Sequence, residues 1–169
     1  MSHRPGVLLM IGAMVLIVAS ANYLVQFPVS DWLTWGALTY PVSYFVTDLC
    51  NRWYGPERAR RVVYVGFVLA VILSIVLASP RIAMASGTAF LVSQLMDIAI
   101  FHRMRQQRWW HAPLVSSILG SLVDTALFFS LAFYGTDMPW VTLAVGDYAV
   151  KVAIALIMLL PYRVLAARG

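Results

Sequence analysis

A chain of 169 residues that is 62% hydrophobic and 11% charged, with a mean hydropathy of +0.81, lies far from soluble globular domains, which carry roughly 25% charged residues. Its formal charge of +5 does not describe a nucleic-acid binder, because the basic residues are scattered between apolar runs and not gathered on one solvated face. The single cysteine, Cys50, excludes an intramolecular disulfide, and no paired His/Cys spacing suggests a metal site.

Six apolar runs approach the roughly 20 helical residues that cross a bilayer. The first covers about 7–25 and closes at Gln26, Phe27 and Pro28. The second, about 32–50, lies between Asp31 and Asn51–Arg52, and Pro41 inside it predicts a kink. The third, about 62–79, is nearly featureless and stops at Pro80 and Arg81, a very short connection to the fourth at about 82–101. The fifth, about 113–134, begins on a proline suited to a first helical turn, and the sixth covers about 141–161. All are read as helices, because lipid leaves no water to satisfy an open backbone. The expected fold is an all-α membrane protein, with 1–169 as one integral membrane domain. A basic start, an apolar stretch and the small residues Ala19, Ser20 and Ala21 also fit a cleavable signal peptide, whose removal would leave five spans.

Arginine placement orients the spans, since short cytoplasmic loops collect Arg and Lys. With both termini cytoplasmic, the inner segments hold Arg4; Arg52, Arg58, Arg60 and Arg61; Arg103, Arg105 and Arg108; and Arg163 and Arg168, against Arg81 alone outside. Adding or removing one span destroys that asymmetry. Trp32, Trp35, Trp53, Trp109, Trp110 and Trp140 fall at span ends, as an aromatic belt requires.

Polar residues inside the spans carry the functional signal: Asp48, Gln94, Asp97, Asp124, Asp147 and Lys151. An Asp or Lys at a helix centre opposes insertion by about 2.5–3.5 kcal/mol, so these groups must face one another or a watery cavity. In span five, Ser117, Ser121, Asp124, Thr125 and Phe128 share a helical face, with Gly120 leaving room beside them. Helix packing also explains the serines, but not the acid. In span four, Phe90, Gln94, Asp97 and Phe101 form a second stripe that would suit a flat heterocycle; pairing of Asp97 with His102 or Arg103 is the competing reading. Asp147 and Lys151, the chain's one lysine, are placed i, i+4 and can pair within their helix, while Lys151 could also neutralise Asp124 across a cavity. For Asp48 the default is a salt bridge to the basic inner loop, and Asn22 in span one sits toward the outer mouth as an interface residue or a ligand contact. No nucleotide-binding loop, metalloprotease helix or nucleophile elbow occurs, and Asp48 with Asp124 is too little to make a protease dyad. The chain is read as no enzyme, with no cofactor.

Four segments resemble one family. They are Y-P-V-S-Y-F-V-T-D-L-C-N-R-W-Y-G-P-E-R-A-R-R-V-V from Tyr40 to Val63, G-T-A-F-L-V-S-Q-L-M-D-I-A-I-F from Gly87 to Phe101, S-S-I-L-G-S-L-V-D-T-A-L-F-F from Ser116 to Phe129, and G-D-Y-A-V-K from Gly146 to Lys151. Together they are similar to the queuosine precursor transporters, within a wider group of vitamin-uptake-type membrane proteins. The resemblance implies import across a bacterial inner membrane of a 7-deazaguanine, 7-cyano-7-deazaguanine or its aminomethyl relative, for queuosine in tRNA. On that implication Asp124 or Asp97 accepts the N1–H and amine edge, Gln94 or Lys151 meets the carbonyl, Phe90 or Phe128 stacks, and Ser121, Thr125 and Asn22 are further contacts, with Asp48 and Asp147 structural or gating. The alternatives are a substrate-capturing subunit of an energy-coupling-factor importer and an ion or proton channel. A homo-oligomer is compatible with the sequence but not specified by it.

Overall fold

The computed structural model describes residues 4–24, 27–30, 33–77 and 79–167. Helix α1 runs Arg4–Leu24. A short antiparallel pair, β1 (Pro28–Ser30) and β2 (Leu33–Thr34), follows, so the architecture is helical with one small extended ribbon where a span was expected to begin. The second apolar run is distorted at the expected proline. It is α2 (Trp35–Thr39) and α3 (Val42–Tyr54), broken at Tyr40 and Pro41. Proline has no N–H to donate and its ring clashes with the carbonyl four residues back; the helical bonding of α2 ends with Tyr40 N–H to Gly36 at 2.9 Å, and tighter i→i−3 bonds from Ser43 and Tyr44 restart the chain.

Helix α3 ends on Gly55, at φ 86° and ψ 169°, a conformation open almost only to glycine. Pro56 then starts α4 (Pro56–Leu77), with φ already helical. Arg58, Arg60 and Arg61 therefore lie in the first turns of α4, where the sequence suggested a loop. Gly55→Ala is expected to lower stability by about 1–3 kcal/mol, read as an earlier thermal unfolding in detergent with solute binding retained.

Helices α5 (Pro80–Met104), α6 (His111–Phe133) and α7 (Trp140–Ala166) complete the chain. Ser79 caps α5 by accepting from Ile82 N–H, and Pro80 takes its first turn. Arg81 donates to the carbonyls of Leu131 and Tyr134, tying the start of α5 to the end of α6. There a cation offsets the negative pole of a helix terminus. By length and apolarity α5, α6 and α7 are each sufficient to cross a membrane, and α1 has a shorter apolar stretch at Gly6–Ala21.

Helix α3 is the hub, packed against α1, α4, α5, α6 and α7. Met10, Met14, Val18, Val46, Cys50, Val62, Val63, Phe90 and Ile98 make one apolar core. Beside it lies an interior that is unusually polar: Ser43, Thr47, Asp48, Asn51, Ser93, Gln94, Asp97, Ser116, Ser121, Asp124, Thr125 and Lys151 are all buried. The exterior is the reverse, with Leu9, Leu16, Ile75, Val76, Met84, Val145, Ile157 and Leu160 fully displayed. Polar inside and apolar outside is the arrangement of a helix bundle in lipid, where interhelical packing and hydrogen bonds replace hydrophobic burial as the cohesive force.

Candidate functional site

The break before α3 aims Tyr40 at the middle of α6 and α7. Its hydroxyl donates to Asp124 Oδ1 at 3.1 Å, and its ring centroid lies 5.5 Å from Lys151 Nζ. Lys151 reaches Asp124 Oδ2 at 2.7 Å, Asp147 Oδ2 at 2.5 Å and Thr125 Oγ1 at 3.1 Å. An ammonium has three N–H donors, and here each has an acceptor. Thr125 Oγ1 itself donates to Asp147 Oδ2 at 2.8 Å, and Ser93 Oγ lies 3.3 Å from Asp124 Oδ1. The i, i+4 pair and the bridge to span five foreseen for Lys151 are both present, so one cation holds two acids from adjacent helices.

This cluster is deeply enclosed: the side chains of Lys151 and Asp124 are 5% and 6% exposed. Removal from water costs several kcal/mol per ion and is offset only by close pairing with every remaining donor satisfied, which these contacts supply. Two carboxylates and one ammonium still leave one excess negative charge facing Tyr40 and Thr125.

The rest of the polar interior is a separate layer toward the far end of α3. Gln94 is committed at both ends to α3, its Oε1 accepting from Thr47 at 2.8 Å and its Nε2 donating to Ser43 Oγ at 2.8 Å. Asn51 donates to the Ile98 carbonyl at 2.9 Å. Tyr44 donates to Ser93 at 2.9 Å, joining the two layers. Asp48 accepts from Ser116 and Ser117, each at 3.3 Å, and forms no ion pair with an arginine among the described residues; the expected salt bridge to the basic loop is replaced by serine hydroxyls because the acid points into the bundle. Asp97 likewise pairs with neither His102 nor Arg103, and none of its oxygens meets a donor among the described residues. Gly120 permits this crowding, since a Cβ there would stand 2.9 Å from the Tyr44 ring and 3.4 Å from Asp97 Cβ.

A cavity of about 20 Å³, lined by Tyr44, Asp48, Ser117, Ser121, Lys151 and Tyr162 among others, reaches both layers. It has room for about one water. Phe90 packs 6.1 Å from the Tyr40 ring. Phe128 instead sits with Phe129 and Phe133 nearer the end of α6, at ring separations of 5.2 Å and 6.1 Å. The side chain of Asn22 lies outside the described residues. The sequence reading passed over Tyr40, Tyr44, Ser43, Thr47 and Ser93. A signal existed: Tyr40, Tyr44, Thr47, Asp48 and Asn51 recur at helical spacing, which marks a polar face on span two.

Residues 34–78 and 73–166 match the profile of a family described as "putative vitamin uptake transporter". The chain is 35% identical to the queuosine precursor transporter of Escherichia coli, covering 86% of this chain and 79% of the relative. It is 35% identical to a probable queuosine precursor transporter of Haemophilus influenzae, with 87% and 80% covered, and 29% identical to one of Bacillus subtilis, with 76% and 69% covered. No solved structure matches.

Proposed function

This chain belongs to the vitamin uptake transporter family, a family of carriers and not of enzymes, and we propose that it imports a queuosine precursor, a 7-deazaguanine, across a bacterial inner membrane for queuosine salvage. The observation that carries this reading is the Tyr40–Asp124–Lys151 contact, placed where a membrane helix is broken, in a chain whose relatives bear that name. Irregular backbone is tolerated at membrane depth only where protein or a cavity satisfies it, and broken helices are a recurrent feature of carrier binding sites.

The proposed topology has six crossings, by α1, by α2 and α3 together, and by α4, α5, α6 and α7, with both ends cytoplasmic. The contacts support it. Arg52 donates to the Arg105 carbonyl, joining two segments assigned to the inner side. Arg81, the lone outer arginine, is engaged by Leu131 and Tyr134 of the outer end of α6.

In the proposed bound state Asp124 accepts the N1–H and exocyclic amine of the guanine-type edge. Lys151, still held by Asp147 and Thr125, swings its third N–H from Asp124 to the solute carbonyl. Tyr40 and Phe90 form the aromatic wall, and Ser121 lines the approach. Gln94 of α5 stays bonded to Ser43 and Thr47 of α3 and does not contact the solute. The cavity is too small for the ring system, so entry requires α7 to part from α3 and α6. Alternating displacement of this kind would open the site to each side in turn. Tyr40→Phe deletes one donor to Asp124 and is expected to change solute affinity by about fivefold, from roughly 1 kcal/mol per hydrogen bond, as read by equilibrium binding.

The test is uptake of radiolabelled 7-cyano-7-deazaguanine by proteoliposomes containing this chain alone. Saturable uptake that excess unlabelled solute or a guanine-type analogue suppresses supports the reading. Binding without uptake, relieved only by an added ATPase module, would establish a substrate-capturing subunit instead.

A further inference from the structure

Beside the Lys151 cluster the molecule buries a second pair of acids that forms no ion pair among the described residues. Asp48 on α3 and Asp97 on α5 are 2% and 0% exposed. The Thr47–Gln94 and Asn51–Ile98 bonds, one helical turn apart on both helices, fix the register in which they meet. That register sets the two carboxyl-bearing residues at one level of the facing helices, Asp48 one residue after Thr47 and Asp97 one residue before Ile98. Ser116 and Ser117 donate to Asp48, yet both oxygens of Asp97 lack a donor among the described residues.

Among the described residues the surroundings offer no cation to take that place. Helix α3 contributes Tyr44, whose hydroxyl is given to Ser93, and Asn51, bonded to Ile98. Helix α6 contributes the two serines, and α7 contributes Tyr162 and Lys151, the latter committed to Asp124 and Asp147. From α1 and α4 come the apolar Met14, Val18, Val62 and Val63, with Arg58 of α4 set near Cys50. Arg52 is spent on the Arg105 carbonyl at the exposed helix ends. Two ionised carboxylates in contact here would suffer both mutual repulsion and the loss of water, several kcal/mol for each ion. One proton between them turns the repulsive contact into an O–H···O⁻ bond and supplies the donor that Asp97 lacks.

We propose that Asp48 and Asp97 form a proton-binding site coupled to the carrier, so that one proton enters with each molecule of uncharged solute. The inference rests on the carrier reading above. Coupling has a route in the structure: Asp48 lines the same cavity as Lys151 and Ser121, and Tyr44 and Ser93 connect the pair's layer to Asp124. Parting α7 from α3 and α6 to admit the solute exposes Asp48 to water in the same movement. The proton binds from the outer side onto the carboxylate pair and leaves from it to the inner side, with no other bond made or broken.

The experiment uses proteoliposomes with the membrane potential clamped and a pH difference of about one unit, alkaline inside. Wild-type protein is expected to concentrate 7-cyano-7-deazaguanine up to about tenfold, the ratio that one proton per solute allows, and to acidify the lumen as it does so. Asp97→Asn, which leaves the solute contacts in place, is expected to keep solute counterflow and lose both accumulation and acidification. Asp97→Glu, which keeps a titratable carboxyl, is expected to retain both and decides the matter if the amide variant does not fold. Wild-type protein that performs counterflow but neither accumulates solute nor moves protons overturns the proton site. Asp97→Asn with undiminished accumulation overturns its assignment to this pair. Absence of wild-type counterflow would instead overturn the carrier reading itself.

Discussion

Lys151→Met is expected to destabilise the protein by about 3–5 kcal/mol, the loss typical when one partner of a buried ion pair is removed, and to abolish solute uptake. Methionine fills the lysine stem's volume, so packing is nearly conserved and the effect isolates the charge. Without the ammonium, Asp124 keeps Tyr40 and Ser93 and Asp147 keeps Thr125, but two acids remain buried with no cation. The contrasting variant is Asp147→Asn. It leaves a neutral one-to-one pair between Lys151 and Asp124 at 2.7 Å, so its unfolding should stay within about 1 kcal/mol of wild type, the scale of one hydrogen bond. Thermal unfolding in detergent, followed by intrinsic tryptophan fluorescence, compares the three proteins. Equal unfolding of Lys151→Met and Asp147→Asn would mean that the cluster is hydrated and the ledger of charges above is wrong.

What was legible in the sequence, and what was not, divides along physical lines. Hydropathy reports how long an apolar run is, and so placed the apolar stretches of the helices; Pro80 reported where the backbone must stop, whereas the start of α4 at Pro56, six residues before its apolar run, was hidden by the arginines of its first turns. Spacing within one helix foretold the Asp147–Lys151 pair, because i and i+4 are neighbours whatever else the chain does. Contacts across 27 or 84 residues, such as Lys151–Asp124 and Tyr40–Asp124, leave no periodic trace. The pairing of Lys151 with Asp124 could be offered as one option, while Tyr40 could be placed on the polar face of span two but not matched to its partner on α6. Pro41 announced a distortion, which is a two-residue turn with Pro41 itself in helical φ and ψ; the side chain that Tyr40 meets across the bundle left no mark in the sequence. Gln94 was attractive as a ligand because a buried amide needs partners, and it found them in Ser43 and Thr47 of the neighbouring helix. The need was readable; the identity of the partners was not. The same holds for Asp48, whose neighbour Arg52 is exposed and bonded to the Arg105 carbonyl while Ser116 and Ser117, some 68 residues on, meet the acid inside.

Asp124→Asn is expected to weaken 7-deazaguanine binding by about 5- to 150-fold, from the roughly 1–3 kcal/mol attached to one lost partner in a desolvated pocket. The replacement is nearly isosteric, and Lys151 keeps Asp147 at 2.5 Å and Thr125 at 3.1 Å, so the variant should be more stable than Lys151→Met. A carboxylate accepts through both oxygens, but an amide presents one acceptor and turns an N–H₂ toward the solute's own N–H donors, so one attraction becomes a repulsion. A cycle with a solute analogue lacking the exocyclic amine separates this from a general loss of shape. Wild-type protein should prefer the amine-bearing solute by about tenfold, the discrimination given by one hydrogen bond to a charged group. The variant should show little preference, because the group that reads the amine is gone. Isothermal titration of both proteins with both solutes measures the four affinities. If the amine is worth the same to Asp124→Asn as to wild type, Asp124 does not face the guanine edge, and the excess negative charge beside Lys151 serves only to hold α6 against α7.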